Sequence, residues 1–228
     1  MKTKILFPLL ISFFNPGIFF SQEKDELFHE IEVAYTFVNN DKWRGAVTTN
    51  WKHIYDEIGW RRWGGDIYIS RKIKSIAIES GITVNYTFDK DIVNYLDVRP
   101  WLGLRSDLQL SERTFLMQKF KIESRNLYFD ESYRNEHLLR SRYLLSLKYN
   151  LFKDQENWKL NPTTEWYFID RQVDAERFVN SVEFGIRIIK VFENENELAF
   201  GYKIESFKKT NLSENSGRGH ILVLEYGF

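Results

Sequence analysis

The chain has 228 residues, a length typical of one domain, and it contains no cysteine. The lack of cysteine excludes a disulfide framework, a thiolate nucleophile and a Cys-based zinc site. Lysine plus arginine and aspartate plus glutamate both number 32, so no charge excess indicates a nucleic-acid partner. Aromatic residues make up 17% of the chain, a share that argues against disorder.

The N-terminus has the composition of a secretory signal peptide. A basic start is followed by an apolar run over 5–20, and the chain turns polar from Ser21 onward. The run is interrupted by Asn-Pro-Gly at 15–17 and is shorter than the roughly 20 residues of a spanning helix. We therefore predict a signal peptide over 1–21 and a single domain over 22–228. An uncleaved membrane anchor is the alternative.

The rest of the chain alternates between apolar and polar residues with a period of two. Over 95–110, Leu96, Val98 and Leu102 share one face, whereas Asp97 and Arg99 lie on the other. This alternation predicts β-strands and an all-β fold, with no convincing helix. Eleven segments have the pattern: 30–38, 43–54, 60–71, 75–88, 95–110, 114–128, 137–151, 158–170, 177–190, 196–208 and 220–228.

Long alternating strands occur in two kinds of barrel. A soluble barrel turns its apolar face inward, whereas a transmembrane barrel turns it towards lipid and lines its lumen with polar residues. Many segments here have 12 to 15 residues, longer than the globular mode of about 5–6 and sufficient for a tilted spanning strand. Strand length therefore favours a single antiparallel transmembrane barrel over a secreted or periplasmic ligand-binding barrel.

The polar faces of the predicted strands carry both signs of charge near mid-strand. Opposite charges on neighbouring strands satisfy one another across a narrow lumen, away from lipid. We expect ten residues to line it as a charged ladder: Arg99, Arg105, Glu123, Arg125, Arg140, Arg142, Glu165, Glu183, Arg187 and Glu205. Such a ladder is either a narrow, porin-like passage for a small polar solute, whose identity is open, or an electrostatic plug that stabilises the barrel. The second interpretation is favoured.

The C-terminal segment ends in an aromatic residue preceded by apolar residues at every second position. These residues are Leu222, Leu224, Tyr226 and Phe228. The arrangement resembles the signal by which the barrel-insertion machinery recognises bacterial outer-membrane barrels. Outer-membrane lipid and that machinery are therefore the expected partners.

Aromatic residues near the predicted strand ends fit the same interpretation. Rings with a polar edge suit the headgroup region of a bilayer, where they form girdles around a barrel. The candidate girdle residues are Trp43, Trp51, Trp60, Trp63, Tyr86, Phe88, Tyr128, Trp158, Trp166, Phe168 and Phe178.

Five blocks resemble the strands of a known family, domain of unknown function 2490. They lie at 120–129, with Glu-x-Arg, at 139–147, with Arg-x-Arg-Tyr, at 164–168, where Thr-Glu-Trp-Tyr-Phe resembles the Glu-x-Phe strand of the family, at 177–185 and at 198–202. The resemblance implies an outer-membrane β-barrel of a Gram-negative bacterium with no established activity. It therefore concerns location and fold, and it implies no mechanism.

Strand number follows from where the chain termini are expected to lie. Bacterial single-chain barrels usually have an even number of strands, short periplasmic turns and longer extracellular loops. This scheme places 39–42, 71–75, 153–157 and 193–195 in the periplasm and the long 209–219 connection outside. Eleven strands would leave the N-terminus outside, so we expect ten strands, with twelve as the alternative.

Catalytic and metal sites have little support in the sequence. The four histidines are scattered without metal-ligand spacing, and no cofactor motif is present. His137 and Ser141 lie four residues apart on one predicted strand, roughly 13 Å, too far for a nucleophile–base bond. An outer-membrane enzyme is therefore the least favoured hypothesis, and we expect no catalytic residue, metal or cofactor.

Overall fold

The computed structural model describes residues 25–55, 59–130, 134–152, 157–207 and 217–228, so the signal peptide expected over 1–21 lies outside the described residues. Among them, no helix is long and apolar enough to cross a membrane. The described chain forms one closed β-barrel of eleven strands. Their bounds are β1 Glu26–Asn39, β2 Trp43–Ile54, β3 Trp60–Ile73, β4 Ile76–Asp89, β5 Tyr95–Ser111, β6 Thr114–Phe129, β7 Glu136–Asn150, β8 Trp158–Ile169, β9 Phe178–Val191, β10 Glu197–Phe207 and β11 Gly217–Gly227.

The all-β prediction is confirmed, and each of the eleven alternating segments corresponds to one strand. The expected count of ten, or twelve, is wrong because β1 is a full strand of 14 residues that pairs on both sides. Successive strands are antiparallel, so an odd number makes the first and last strands run in the same direction. The barrel therefore closes through a parallel β1–β11 pair, and the expected purely antiparallel sheet is corrected at this seam.

The seam is continuous to the last residue of the chain. Nine residues of β1 pair in register with β11, from Glu26 opposite Gly219 to Ala34 opposite Gly227. Beyond them, the amide of Phe228 donates to the carbonyl of Ala34, and the amide of Thr36 donates to the carbonyl of Phe228. Edge hydrogen-bonding groups are thereby satisfied, which removes the exposed strand edge that an open sheet would present.

The two ends of the barrel differ in their connections. At one end, the loop side, lie the strand ends that flank 55–59, 90–94, 130–135, 170–177 and 208–216. At the other end, the short-turn side, lie the strand ends that flank 40–42, 74–75, 112–113, 151–157 and 192–196. The chain enters β1 on the loop side and ends at Phe228 on the short-turn side.

The barrel is apolar outside and polar inside along most of its length. On β5, Leu102 and Leu104 are exposed on the outer face, whereas Asp97 and Arg99 are buried on the inner face. The same division holds on β4, where Ile82 is exposed and Glu79 is buried. Alternation by two residues produces both faces, since successive side chains of a strand point to opposite sides of the sheet.

Two clusters of apolar side chains fill the lumen near the loop side. The first consists of Phe28, Ile54, Trp60, Phe178, Ile221 and Val223. The second consists of Val93, Tyr95, Leu127, Leu138, Val173 and Ala175. Trp60 and Phe178 were expected in the outer girdle, but they pack against Phe28 inside the barrel, with ring centroids 5.2–5.5 Å apart.

Candidate functional site

All ten residues of the expected charged ladder lie on strand positions that face the lumen. Glu123 and Arg125 are inaccessible to solvent, Arg99, Arg140 and Glu165 are nearly so, and Arg105, Arg142, Glu183, Arg187 and Glu205 are partly accessible. They form several separate networks rather than one ladder. The networks are described below from the loop side to the short-turn side.

The network nearest the loop side is centred on Arg125. Its guanidinium donates to Asp97 from Nε and Nη2, and to both carboxylate oxygens of Glu176 at 2.9 Å. Asp97 also accepts from Arg99, so this carboxylate is shared by two guanidinium groups. Arg125, Asp97 and Glu176 are all buried, which makes this a desolvated ion-pair network.

Glu176 belongs to the loop 170–177, which the alternation of strands could not place. Val173 and Ala175 of this loop join the apolar cluster with Tyr95 and Leu127, so the loop lies inside the barrel end. Burial alone would raise the pKa of the Glu176 carboxyl, but the Arg125 guanidinium outweighs it and holds the pKa below its usual value. The loop is thus attached to the inner wall of the barrel by an ion pair as well as by apolar contacts.

Arg177, at the end of the same loop, makes a second attachment. Its guanidinium donates to both oxygens of Asp89, at the end of β4, and to Asp91 at 2.9 Å. Burial lowers the pKa of this guanidinium, but its bonds to the two aspartates raise the pKa above its usual value. The isolated sequence offered one signal for this pairing: charged residues concentrated in 89–91 and 170–177, between otherwise alternating strands.

A second network lies near the middle of the lumen. Glu123 accepts from Arg140 at 2.7 Å and from Arg142 at 3.0 Å, and Lys121 lies 3.0 Å from its carboxylate. Arg142 also binds Glu165 with two nearly parallel bonds of 2.9 and 2.7 Å. This bidentate geometry fixes the guanidinium between β6 and β8.

A third network lies between the middle of the lumen and the short-turn side. Glu79 binds Arg105 at 3.0 Å and Lys119 at 2.6 Å. Lys119 and Lys121 also lie over the indole of Trp101, 4.8 and 3.9 Å from the ring centroid. Gly81 makes room for this indole, since a Cβ at that position would come within 2.7 Å of the ring.

The opposite wall, on β9 to β11 and β1, is richer in acids. Lys52 binds Glu205 at 2.6 Å, Arg187 binds Glu225 at 2.7 Å, and Lys203 lies 3.6 Å from Glu30. The lumen therefore has a predominantly basic wall on β5–β7 and a wall on β9–β1 with more acidic residues. Sequence reasoning placed Lys203 and Glu205 on the polar face of this second wall but missed Glu30, Lys52 and Glu225.

Solvent access to the lumen changes from one end to the other. Around the loop-side level, Phe28, Thr87, Asp97, Arg125 and Leu138 are 0% exposed. A channel as wide as water would leave accessible surface on the side chains that line it, so the described side chains leave no such passage at this level. Towards the short-turn side the exposure is mixed: the side chains of Arg105, Lys119, Arg142 and Arg187 are 21–25% exposed, whereas Ser146 and Asn161 are buried. We call this partly accessible half of the lumen the vestibule.

One Ser–His contact lies on the outer wall and had not been expected from the sequence. Ser124 Oγ and His137 Nε2 are 2.9 Å apart, on the neighbouring strands β6 and β7. Asn126 stands opposite His137, but its amide donates to the carbonyls of Val98 and Ser124 and does not orient the imidazole. Among the described residues, the pair therefore lacks the orienting group that an activated serine requires. No group of three metal-ligating side chains occurs within the described residues.

The C-terminal residues singled out in the sequence all lie on the outer face. Leu222, Leu224, Tyr226 and Phe228 are exposed, and the ring of Phe228 lies 5.2 Å from that of Tyr35 on β1. The aromatic contact and the backbone bonds of Phe228 both lie on the closing seam. The last residue thus helps to hold the two ends of the sheet together.

The sequence matches no protein-family model, and a search of curated proteins finds no match.

Proposed function

We propose that this chain is an integral outer-membrane β-barrel whose lumen is a blind polar vestibule, with a structural or solute-binding role rather than transport through a pore. The observation that carries the proposal is the inverted polarity of the barrel. Large apolar side chains are exposed on the outside, while charged side chains are buried inside. In water this arrangement would be unfavourable on both faces, because exposed apolar area and buried charge each cost free energy. In a bilayer both faces are favourable.

The distribution of residue types over the outer face supports the same proposal. Aliphatic side chains such as Ile67, Ile82, Leu102, Ile122 and Ile186 occupy mid-strand positions and are exposed. Aromatic side chains are exposed on either side of this band. On the loop side these are Trp63, Tyr86, Tyr128 and Phe168; on the short-turn side they are Tyr35, Trp43, Tyr149, Trp158, Tyr226 and Phe228. An aliphatic band between two aromatic girdles matches the layers of a bilayer.

The orientation of the barrel is proposed from its connections. Short turns of outer-membrane barrels face the periplasm, which would place the loop side outside the cell and the vestibule mouth towards the periplasm. The resemblance to domain of unknown function 2490 and the signal peptide expected over 1–21 agree with this location.

A cold-versus-boiled SDS gel of the detergent-extracted cell envelope tests the location. We expect the unboiled protein to migrate faster, as a closed barrel that resists the detergent. Recovery in the soluble fraction as one unshifted band would refute the proposal and favour a secreted ligand-binding barrel.

A pair of substitutions on one strand tests the lipid-facing assignment directly. Leu102, in the middle of β5, and Leu110, next to its last residue, face outward and are 64% and 57% exposed. Leu102→Arg should lower the free energy of unfolding from lipid vesicles by about 2–4 kcal/mol, against about 0–1 kcal/mol for Leu110→Arg. Equal and small effects of the two substitutions would show that the outer face meets water.

A further inference from the structure

Three cations near the short-turn rim of the vestibule have no acidic partner among the residues that the structure describes. Lys148 on β7, Lys159 on β8 and Arg44 on β2 occupy inward-facing positions. None of the three forms an ion pair or a side-chain hydrogen bond with another described residue. They differ in this respect from the cations deeper in the lumen, such as Arg125 and Arg142, which bind carboxylates.

The three cations face the same end of the lumen. Lys148 and Lys159 lie on neighbouring strands, where Lys159 pairs with Asn150, and Arg44 lies on β2. The strongest electrostatic interactions of Lys148 are with the acid Glu197 and with the cations Lys159, Arg187 and Arg44. Arg187 is already neutralised by Glu225 at 2.7 Å, whereas Lys159 and Arg44 have no such partner among the described residues.

Like charges held together in a narrow, partly desolvated space repel one another, and a bound anion relieves that repulsion. Walls of low dielectric also focus the potential into such a cleft and concentrate counter-ions there. From this we propose that the vestibule binds a small multivalent anion, a solute with carboxylate or phosphate groups, between Lys148, Lys159 and Arg44. The site takes one such solute at its rim and does not pass it on, because the loop-side half of the lumen is filled.

The size of the lumen sets the size of the ligand. An eight-stranded barrel encloses side chains or one small ligand, and barrels of 16–18 strands leave an open aqueous channel. Eleven strands whose loop-side half is packed leave room for a small solute and not for a polymer. The inference rests on the proposed function only for the compartment, since the periplasmic side would supply the anion; the site itself is formed by the barrel alone.

Isothermal titration calorimetry tests the site on the full-length barrel purified in detergent, at constant chloride concentration. The probes are citrate and inorganic phosphate, with the cation spermidine as a negative control. We expect binding of one citrate per barrel, weaker binding of phosphate, and no binding of spermidine at the rim. The variant Lys148→Gln/Lys159→Gln should weaken citrate binding by on the order of tenfold or more.

Lys190→Gln is the matched control. Lys190 lies at the same end of the barrel but on the outer face, over the ring of Trp158 at 5.0 Å. The substitution removes one positive charge at the same end of the barrel without changing the lumen, so the affinity for citrate should change by less than about twofold. A cold-versus-boiled gel shows that each variant has kept its closed barrel.

Three results would overturn the inference: no citrate binding by the wild-type barrel, unchanged binding by the double variant, or equal weakening by Lys190→Gln. The location is judged separately, by fractionation of the envelope. Citrate binding by a protein found in the soluble fraction would preserve the site and refute the membrane proposal. A membrane-embedded barrel that binds no citrate would refute the anion site and leave the membrane proposal intact.

Discussion

The ion-pair network around Arg125 gives the sharpest test of how the lumen is stabilised. Arg125→Leu removes a side chain that is 0% exposed and makes four hydrogen bonds to Asp97 and Glu176. Asp97 keeps Arg99 as a partner, but Glu176 loses its guanidinium contact within a buried site. Removing one partner of a buried pair typically costs about 3–5 kcal/mol, because the other charge stays desolvated and uncompensated. We expect a loss in this range in the free energy of unfolding.

Urea unfolding in lipid vesicles, followed by tryptophan fluorescence, measures the loss. Arg171→Leu is the control, since Arg171 lies in the same loop, has a side chain that is 61% exposed and pairs with Glu136 at 3.3 Å. That surface pair should contribute less than about 0.5 kcal/mol. The double variant Arg125→Leu/Glu176→Leu should be more stable than Arg125→Leu alone, because it removes the stranded carboxylate together with its partner.

Two outcomes would refute this reasoning. The first is a loss below about 0.5 kcal/mol for Arg125→Leu, which would mean that water reaches Glu176 and solvates it. The second is strict additivity in the double variant, which would mean that the two side chains are not coupled.

Four further expectations concern other parts of the barrel. The pKa of Glu176 is lowered in the folded protein, so its stabilising effect is present above the pKa of the unfolded chain, near 4.3. The effect is lost as the pH falls through the pKa of the folded state. In acid unfolding, the difference in stability between wild type and Glu176→Gln should therefore shrink below about pH 4. Planar-bilayer recordings should show no steady conductance for the wild type, because side chains fill the loop-side lumen, and brief openings for Trp60→Ala. A fluorophosphonate probe should not label Ser124, since no described side chain orients His137; labelling that disappears in Ser124→Ala would contradict this. Deletion of Phe228 should lower the yield of heat-modifiable barrel, and an unchanged yield would show that the last residue is dispensable for assembly.

The strands of this protein can be identified from the sequence because apolar and polar residues alternate along each of them with a period of two. Each of the eleven segments proposed from alternation matches an observed strand, with bounds that differ by only a few residues at most ends. Alternation also separates Leu102 from Arg99 on β5, so it predicts which side chains share a face. It does not say which face is inside, and strand length and mid-strand charge were needed for that assignment.

Strand number and closure required the tertiary structure. The expectation of ten strands rested on parity, because an odd number of strands places the two termini at opposite ends of the barrel. The first segment, 30–38, is nevertheless part of a full strand, β1. Its pairing with β11, from Glu26 to Ala34, shows that a parallel seam closes the sheet as completely as an antiparallel one. Most bacterial barrels have an even number of strands, but the hydrogen bonds of a particular chain decide whether its own number is even.

The sequence by itself thus determined the class of fold, the strand segments and the two faces of the sheet, because these depend on neighbours within a strand. Only the tertiary structure decided how the lumen is filled. Trp60 and Phe178 lie at strand ends like girdle residues, yet both pack against Phe28 of β1 within the lumen. Glu176 reaches Arg125 across 51 residues of chain. Contacts at that separation depend on the closure of the sheet, and no local pattern encodes them.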